Sequence, residues 1–253
     1  HMRPQAEPIL GIRVADAAAP VFVHYDHREV GAPFGHLVEN RHIRQALLTR
    51  AAEIPTLQII APVTVKQVER DAYHAALTLE EGREIHAPLL VAADGKFSSL
   101  RKTADIPVTE AAYGQTAIVC TIEHSLPHEG LALERFLPGG PFAVLPMRER
   151  RSSLVWTEPE AVAPQYLEME EKRFAEEIRQ RVGDYLGEIT PVGPRFSYPL
   201  SLLHAKRYTD TRLALAGDAA HAIHPIAGQG VNLGFRDAAV LAEGILNGDI
   251  ESA

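Results

Sequence analysis

Cysteine is almost absent: Cys120 is the only one in 253 residues. A single thiol excludes an intrachain disulfide and a cysteine-built zinc site, and it fits a reducing compartment. Positive charge is in deficit, with 25 Lys+Arg against 33 Asp+Glu and a formal net charge of -8. Phosphate affinity needs a concentrated basic surface, so a nucleic-acid binder is excluded. Long apolar runs are missing as well. Stretches such as Ala87–Ala93 fall far short of the roughly 20 residues that span a bilayer. The opening His1-Met2-Arg3 lacks the apolar stretch of a secretory signal. His1-Met2 reads as the remnant of a cleaved expression tag, with the natural chain expected to begin elsewhere. Neither G-x-G-x-x-G nor a Walker A sequence occurs, so no dinucleotide or mononucleotide phosphate cradle of those types lies in this stretch.

What is present is globular material. A hydrophobic content of 46% and a charged content of 23% exclude disordered and collagen-like chains. The length allows one large domain or two small ones. Short β-rich runs at Ile9–Val14 and Val21–Tyr25, joined through Ala15–Pro20, predict two strands. Asn40 is a candidate N-cap for a helix over Arg41–Ala52, with Ile43, Leu47 and Leu48 on one face. Leu57–Ile60 and Val63–Glu69 read as strands. Tyr73–Leu79, the turn at Glu81-Gly82 and Glu84–Ala92 read as a β-meander that ends in the apolar run Pro88–Ala93, a strand buried on both faces. Alternating runs at Thr116–Ile122, Leu131–Leu137, Phe142–Met147 and Ser153–Thr157, punctuated by Pro138–Pro141, predict an antiparallel sheet with Trp156 and Phe136 in its core. Gln165–Val182 has the spacing of an amphipathic helix, Phe196–Leu203 reads as a strand, and Leu213–Ala216 as a short buried strand. A final helix is predicted over Asn232–Leu246.

Two segments carry candidate chemistry. In the first, a buried strand delivers Gly217-Asp218 at its carboxyl end, where α/β sheets bind ligands. Asp218 can accept hydrogen bonds from polyol hydroxyls. Gly228 and Gly230 clear a surface for a flat ligand, and the helix that follows presents free N–H groups and a positive dipole end. The spacing Gly228, Gly230, Gly234 is G-x-G-x-x-x-G, one residue too long for the dinucleotide fingerprint. In the second segment, Leu90–Arg101, another buried strand ends in Asp94-Gly95, with Asp94 and Arg101 as the polar groups. The two strands are expected to be neighbours, with both aspartates at one end. His221 and His224 have H-x-x-H spacing but no third ligand, so packing or loop hydrogen bonding is expected rather than a metal.

These residues resemble a known family. Ala93–Arg101 is similar to the "DG" motif of group A flavoprotein monooxygenases, and Gly217–Gly234 to their "GD" motif. The wording His224-Pro225-Ile226-Ala227-Gly228-Gln229-Gly230-Val231-Asn232-Leu233-Gly234 resembles the ubiquinone-biosynthesis hydroxylases most, as do Glu134-Arg135-Phe136, Gly140–Pro146 and Ser153–Trp156. The resemblance implies an α/β fold, mixed with α+β. An incomplete FAD-binding Rossmann-like domain would cover 1–109, with strands contributing to the substrate sheet, and return at 207–253, around an inserted antiparallel-sheet substrate domain at 110–206. It implies FAD, reduced by NAD(P)H or another electron donor, and O2 and an aromatic or polyprenyl phenol as substrates. No catalytic side chain is implied, because a flavin hydroperoxide carries the chemistry. Gly217 and Asp218 would hold the ribityl chain, with Pro225, Gly228, Gln229, Gly230 and Asn232 along the isoalloxazine and Asp94 and Arg101 on the pyrophosphate side or toward the reductant. Many relatives carry an FAD-touching Arg or Gln where this chain has Asn40, and Arg44 stands one turn further on.

The family opens with a strand, a G-x-G-x-x-G turn and a helix. The chain is therefore expected to begin after that unit, to stop short of where relatives continue, and to be isolated without FAD or to bind it weakly. A cytoplasmic location is expected, with peripheral association at the inner membrane or with a quinone-biosynthesis complex. The alternatives are a non-catalytic apo domain or assembly subunit of such a complex, and another aromatic hydroxylase of the same flavoprotein group.

Overall fold

A computed structural model describes residues 2–17 and 21–248. In chain order come β1 (Glu7–Ile9), β2 (Gly11–Asp16), β3 (Phe22–Asp26), α1 (His27–Val30), β4 (Gly35–Leu37), α2 (Asn40–Ala52), β5 (Val65–Arg70), β6 (Ala75–Leu79), β7 (Glu84–Ala87), β8 (Leu90–Ala92) and α3 (Ser99–Thr103). They are followed by β9 (Val108–His124), β10 (Leu131–Leu137), β11 (Gly140–Met147), β12 (Arg151–Pro159), α4 (Ala163–Leu167), α5 (Glu171–Val182), β13 (Ile189–Ala205), β14 (Thr209–Asp210), β15 (Leu213–Leu215), β16 (His221–Ala222) and α6 (Gly230–Leu246). Two compact units interleave along the chain: 1–58 with 114–200, and 59–113 with 201–253. Residues 2–58 group with the antiparallel sheet because β2 adds to β10 in parallel and β3 adds to β2. Of the connection expected at Ala15–Pro20, residues 18–20 lie outside the described ones.

In the first unit the sheet runs β13-β9-β12-β11-β10-β2-β3. Alternation gives it one apolar face: Ile118, Cys120, Leu133, Phe142, Val144, Leu154 and Trp156 are buried there with Phe174, Ile178 and Val182 of α5. Trp156 is fully buried because its one polar group is satisfied, the indole N–H donating to Glu158 Oε1 at 2.7 Å. Phe136, expected in the same core, is 38% exposed. The single helix expected over Gln165–Val182 is two helices. Glu170 is extended, and its carboxylate caps α5 by accepting from the Arg173 amide at 3.2 Å, so the chain restarts there. Cys120 is inert, with its thiol pushed up to about 11 by burial. The N-cap of α2 is Glu39, and Asn40 is the first helical residue, with no side-chain cap bond. Leu47 and Leu48 are 50% and 51% exposed, and α2 buries Ala46 alone. Successive residues advance by roughly 100° around a helix, so a stripe centred on Ala46 turns both leucines outward.

In the second unit β5-β6-β7 form the antiparallel meander. Leu57–Ile60 contributes no strand: the segment lies between Pro55 and Pro62, and its Leu57 amide closes a turn onto Ile54. β8 leaves the meander after Pro88, which has no N–H to give a ladder, and joins a separate sheet of order β14-β15-β8. Among the described residues it is an edge strand, not buried on both faces; Val91 is 39% exposed. A small-residue core of Ala92, Ala104, Ala205, Ala219 and Ala220 with Ile106, Leu213 and Leu215 holds these strands.

Candidate functional site

The site grows out of two strand ends. β8 and β15 pair in parallel, with Leu90 opposite Leu213 and Ala92 opposite Leu215, so Asp94 and Asp218 leave the same end of the sheet. After β8, Gly95 turns the chain at φ +84°. Asp94 Oδ2 accepts from the Ser99 amide at 2.9 Å, the Ser99 hydroxyl at 3.3 Å and the Leu100 amide at 3.3 Å. Partial burial works against the Asp94 charge, but donors from residues 98–100 outweigh it and hold the carboxyl below its ordinary range. Ser98, 1% exposed, caps α3 by accepting the Arg101 amide at 3.0 Å. Arg101 is 4% exposed. Its guanidinium donates to the Lys96 carbonyl at 2.9 Å and to the Ala219 carbonyl at 2.7 Å, tying the turn after β8 to the turn after β15.

That second turn is a 3-10 turn over Gly217–Ala219, entered at φ +59° on Gly217. Gly217 and Gly234 of α6 nearly touch: a Cβ on Gly234 would sit 3.4 Å from the Gly217 Cα. One turn along α6, Asp237 Oδ2 accepts from the Gly217 amide at 2.8 Å and pairs with His221 Nε2 at 2.7 Å. His221 is thereby satisfied at 7% exposure, the loop hydrogen bonding expected of it. The Tyr208 ring lies 5.7 Å from that of His221, and its phenol is raised by burial first and by the Asp237 charge second. Asp218 itself is exposed, with no protein partner among the described residues.

Beyond the turn, His224 Nδ1 accepts from the Ile226 amide at 3.1 Å, and burial lowers the imidazole below its usual range. Pro225 opens a 3-10 turn that Gly228 ends at φ +59°. Nothing lies within 4 Å of where a Cβ would stand on Gly228 or Gly230. Asn232 Nδ2 donates to Gln229 Oε1 at 3.2 Å, and no side chain caps the start of α6. This helix starts at Gly230, two residues earlier than expected, so its open amides stand directly behind the two glycines. The ensemble offers a free carboxylate for hydroxyls, a bare backbone shelf and a helix N-terminus that favours negative charge. No cluster of three potential metal ligands occurs among the described residues.

Nine predicted residues thus share the second unit: Asp94, Arg101, Gly217, Asp218, Pro225, Gly228, Gln229, Gly230 and Asn232. Asn40 and Arg44 lie exposed, one turn apart, on α2 of the first unit. Sequence reading missed Asp237. Its one signal is an acidic residue a single turn after Gly234 on an otherwise apolar stretch, Ala238-Ala239-Val240-Leu241.

Residues 2–247 match the family described as "FAD binding domain". The chain is 51% identical to ubiquinone hydroxylase UbiL of Rhodospirillum rubrum, over 94% of this chain and 56% of that protein. It is 34% identical to 3-demethoxyubiquinol 3-hydroxylase of Escherichia coli, over 89% of this chain and 58% of that one. The chain therefore spans little more than half the length of these relatives. Among solved structures, PqsL of Pseudomonas aeruginosa, described as a probable FAD-dependent monooxygenase, superposes with a TM-score of 0.83 at 22% identity, covering 98% of this chain and 71% of that one.

Proposed function

The chain belongs to the FAD binding domain family, and from that premise we propose that it serves the FAD-dependent hydroxylation of an aromatic ring in ubiquinone biosynthesis. The observation that carries the reading is the unpartnered Asp218 carboxylate at the end of β15, beside the parallel end of β8, on a turn packed against Gly234 and Asp237 of α6. The residues present fit the cofactor. FAD, reduced by NAD(P)H or another donor, supplies the activation of O2 from which one oxygen atom goes to the ring. Asp218 would hydrogen-bond the ribityl hydroxyls. Pro225, Gly228, Gln229, Gly230 and Asn232 would line the isoalloxazine, and the α6 dipole would stabilise negative charge on the reduced ring. Asp94 and Arg101 would serve the pyrophosphate side by fixing the 94–101 turn, with Asp94 Oδ2 and both Arg101 Nη atoms bonded to protein partners. The likeness to ubiquinone hydroxylase UbiL supports a polyprenylated phenol as substrate. Such a phenol partitions into lipid, which supports work at the cytoplasmic face of the inner membrane beside other quinone-biosynthesis enzymes. No described helix is long and apolar enough to cross a membrane.

Titrating the purified chain with FAD and following flavin fluorescence tests the cofactor. Asp218→Ala is expected to weaken binding by roughly 10- to 150-fold, the worth of about 1.5–3 kcal/mol in charge-assisted hydrogen bonds. For the activity, a strain deleted for the gene is expected to accumulate an under-hydroxylated quinone precursor by mass spectrometry, with the Asp218→Ala gene rescuing it poorly. A normal quinone pool in the deletion strain would overturn the ubiquinone reading. The flavin content of the protein would then separate another aromatic hydroxylase from a non-catalytic subunit.

A further inference from the structure

The polar contacts of the turn after β15 are distributed unevenly. The Gly217 amide is held by Asp237 at 2.8 Å, the Gly217 carbonyl by the Ala220 amide at 2.8 Å, the Ala219 carbonyl by Arg101 at 2.7 Å and the His221 imidazole by Asp237 at 2.7 Å. Every residue around Asp218 is anchored, and Asp218 alone carries no bond among the described residues. Asp237 is the centre of this arrangement. One carboxylate oxygen receives two donors, one before and one after Asp218, and Asp237 sits on the same face of α6 as Gly234, whose missing side chain lets Gly217 approach. Gly217 is at φ +59°, a conformation the chain leaves readily when nothing holds it.

We infer that Asp237 is a positioning residue for the cofactor site: its paired grip on the Gly217 amide and His221 fixes the turn in the one shape that presents Asp218, free of protein partners, to the ribityl hydroxyls. Asp237 touches no ligand itself. It acts by keeping Asp218 from relaxing onto neighbouring donors and by aiming it before the ligand arrives. Asp237 is also the only residue among these anchors that reaches the turn from α6, so it couples the placing of Asp218 to the helix whose N-terminus faces the ring.

The inference rests on the flavin reading above, and a double-mutant cycle separates the two. FAD affinity is measured by NMR titration for the chain and for Asp218→Ala, Asp237→Ala and the double variant. Asp237→Ala alone is expected to weaken FAD about tenfold, the worth of one hydrogen bond to a charged group. The double variant is expected to bind no more weakly than Asp218→Ala alone, because a residue that acts through Asp218 has nothing left to act on. Without FAD, the Gly217 amide is expected to exchange at least about tenfold faster in Asp237→Ala, while amides of β8 and β15 keep their protection. Losses that multiply in the double variant, or an unchanged Gly217 amide, would overturn the inference and make Asp237 a general structural residue. An Asp218→Ala chain that binds FAD as tightly as the parent would instead sink the flavin reading, and the inference with it. Should Asp237→Ala not fold, Asp237→Asn, which keeps the volume but not the charge, carries the same cycle.

Discussion

Glu134 shows what one buried atom does to a sheet. It sits on β10 in the stretch Glu134-Arg135-Phe136, and its Oε1 is buried without a hydrogen-bond partner. Burial pushes its carboxyl up to about 7. The folded chain therefore keeps a proton that the unfolded chain gives up near its ordinary carboxylate value. Stability falls as pH rises through that window and stays low above it. Replacing the carboxyl by an amide removes the charge but not the shape. Glu134→Gln is expected to gain about 1–2 kcal/mol over the parent near pH 8, after allowance for the part of the side chain that water still screens. It should gain nothing near pH 4. Urea unfolding at the two pH values checks both halves of the statement. The contrast with Asp94 is instructive: that carboxyl is also partly buried, yet three donors hold it ionised.

At the scale of elements, the short helix α3 depends on its start. Its 5 residues from Ser99 to Thr103 are too few to be stable by propensity. The Ser98 hydroxyl and the Asp94 carboxylate supply its first amides with acceptors. Ser98→Ala is expected to cost about 1–2 kcal/mol, read by urea unfolding, and to speed hydrogen exchange at the Arg101 amide. Elements of this kind are legible in sequence only in part. Where one face is apolar and the repeat is regular, as in β10, β11 and α5, pattern alone places the element, since burial of that face is what forms it. Pattern fails where a neighbour decides. The Pro88–Ala93 run has the texture of a central strand, but only the partner β15 tells that β8 is an edge. Asn40 is a good capping residue that the chain passes one position too late to use. Asp218, Gly228 and Gly230 are legible because the chemistry needs an acid and bare backbone there. Asp237 is not, because its meaning lies in a turn twenty residues earlier that α6 happens to meet.

At the scale of the whole molecule, neither compact unit is continuous in sequence. The first takes 1–58 and 114–200, the second 59–113 and 201–253. Contacts such as Leu90 to Leu213 and Gly11 to Leu131 therefore close very long loops before any reward arrives. Chains dominated by such non-local pairing fold in milliseconds to seconds, and stopped-flow refolding from urea is expected to fall at the slow end of that range. The interleaving has a further meaning at the ribosome. β8 is made before the antiparallel sheet, yet β15, its one partner among the described residues, is translated only after that sheet. Until then Leu90, Val91 and Ala92 form an unclaimed apolar strand, a docking place for any other nascent chain. The wait lasts from Ala92 to Leu213, and a holdase chaperone bound to a chain stalled within that span, near Ala92, is the trace it would leave.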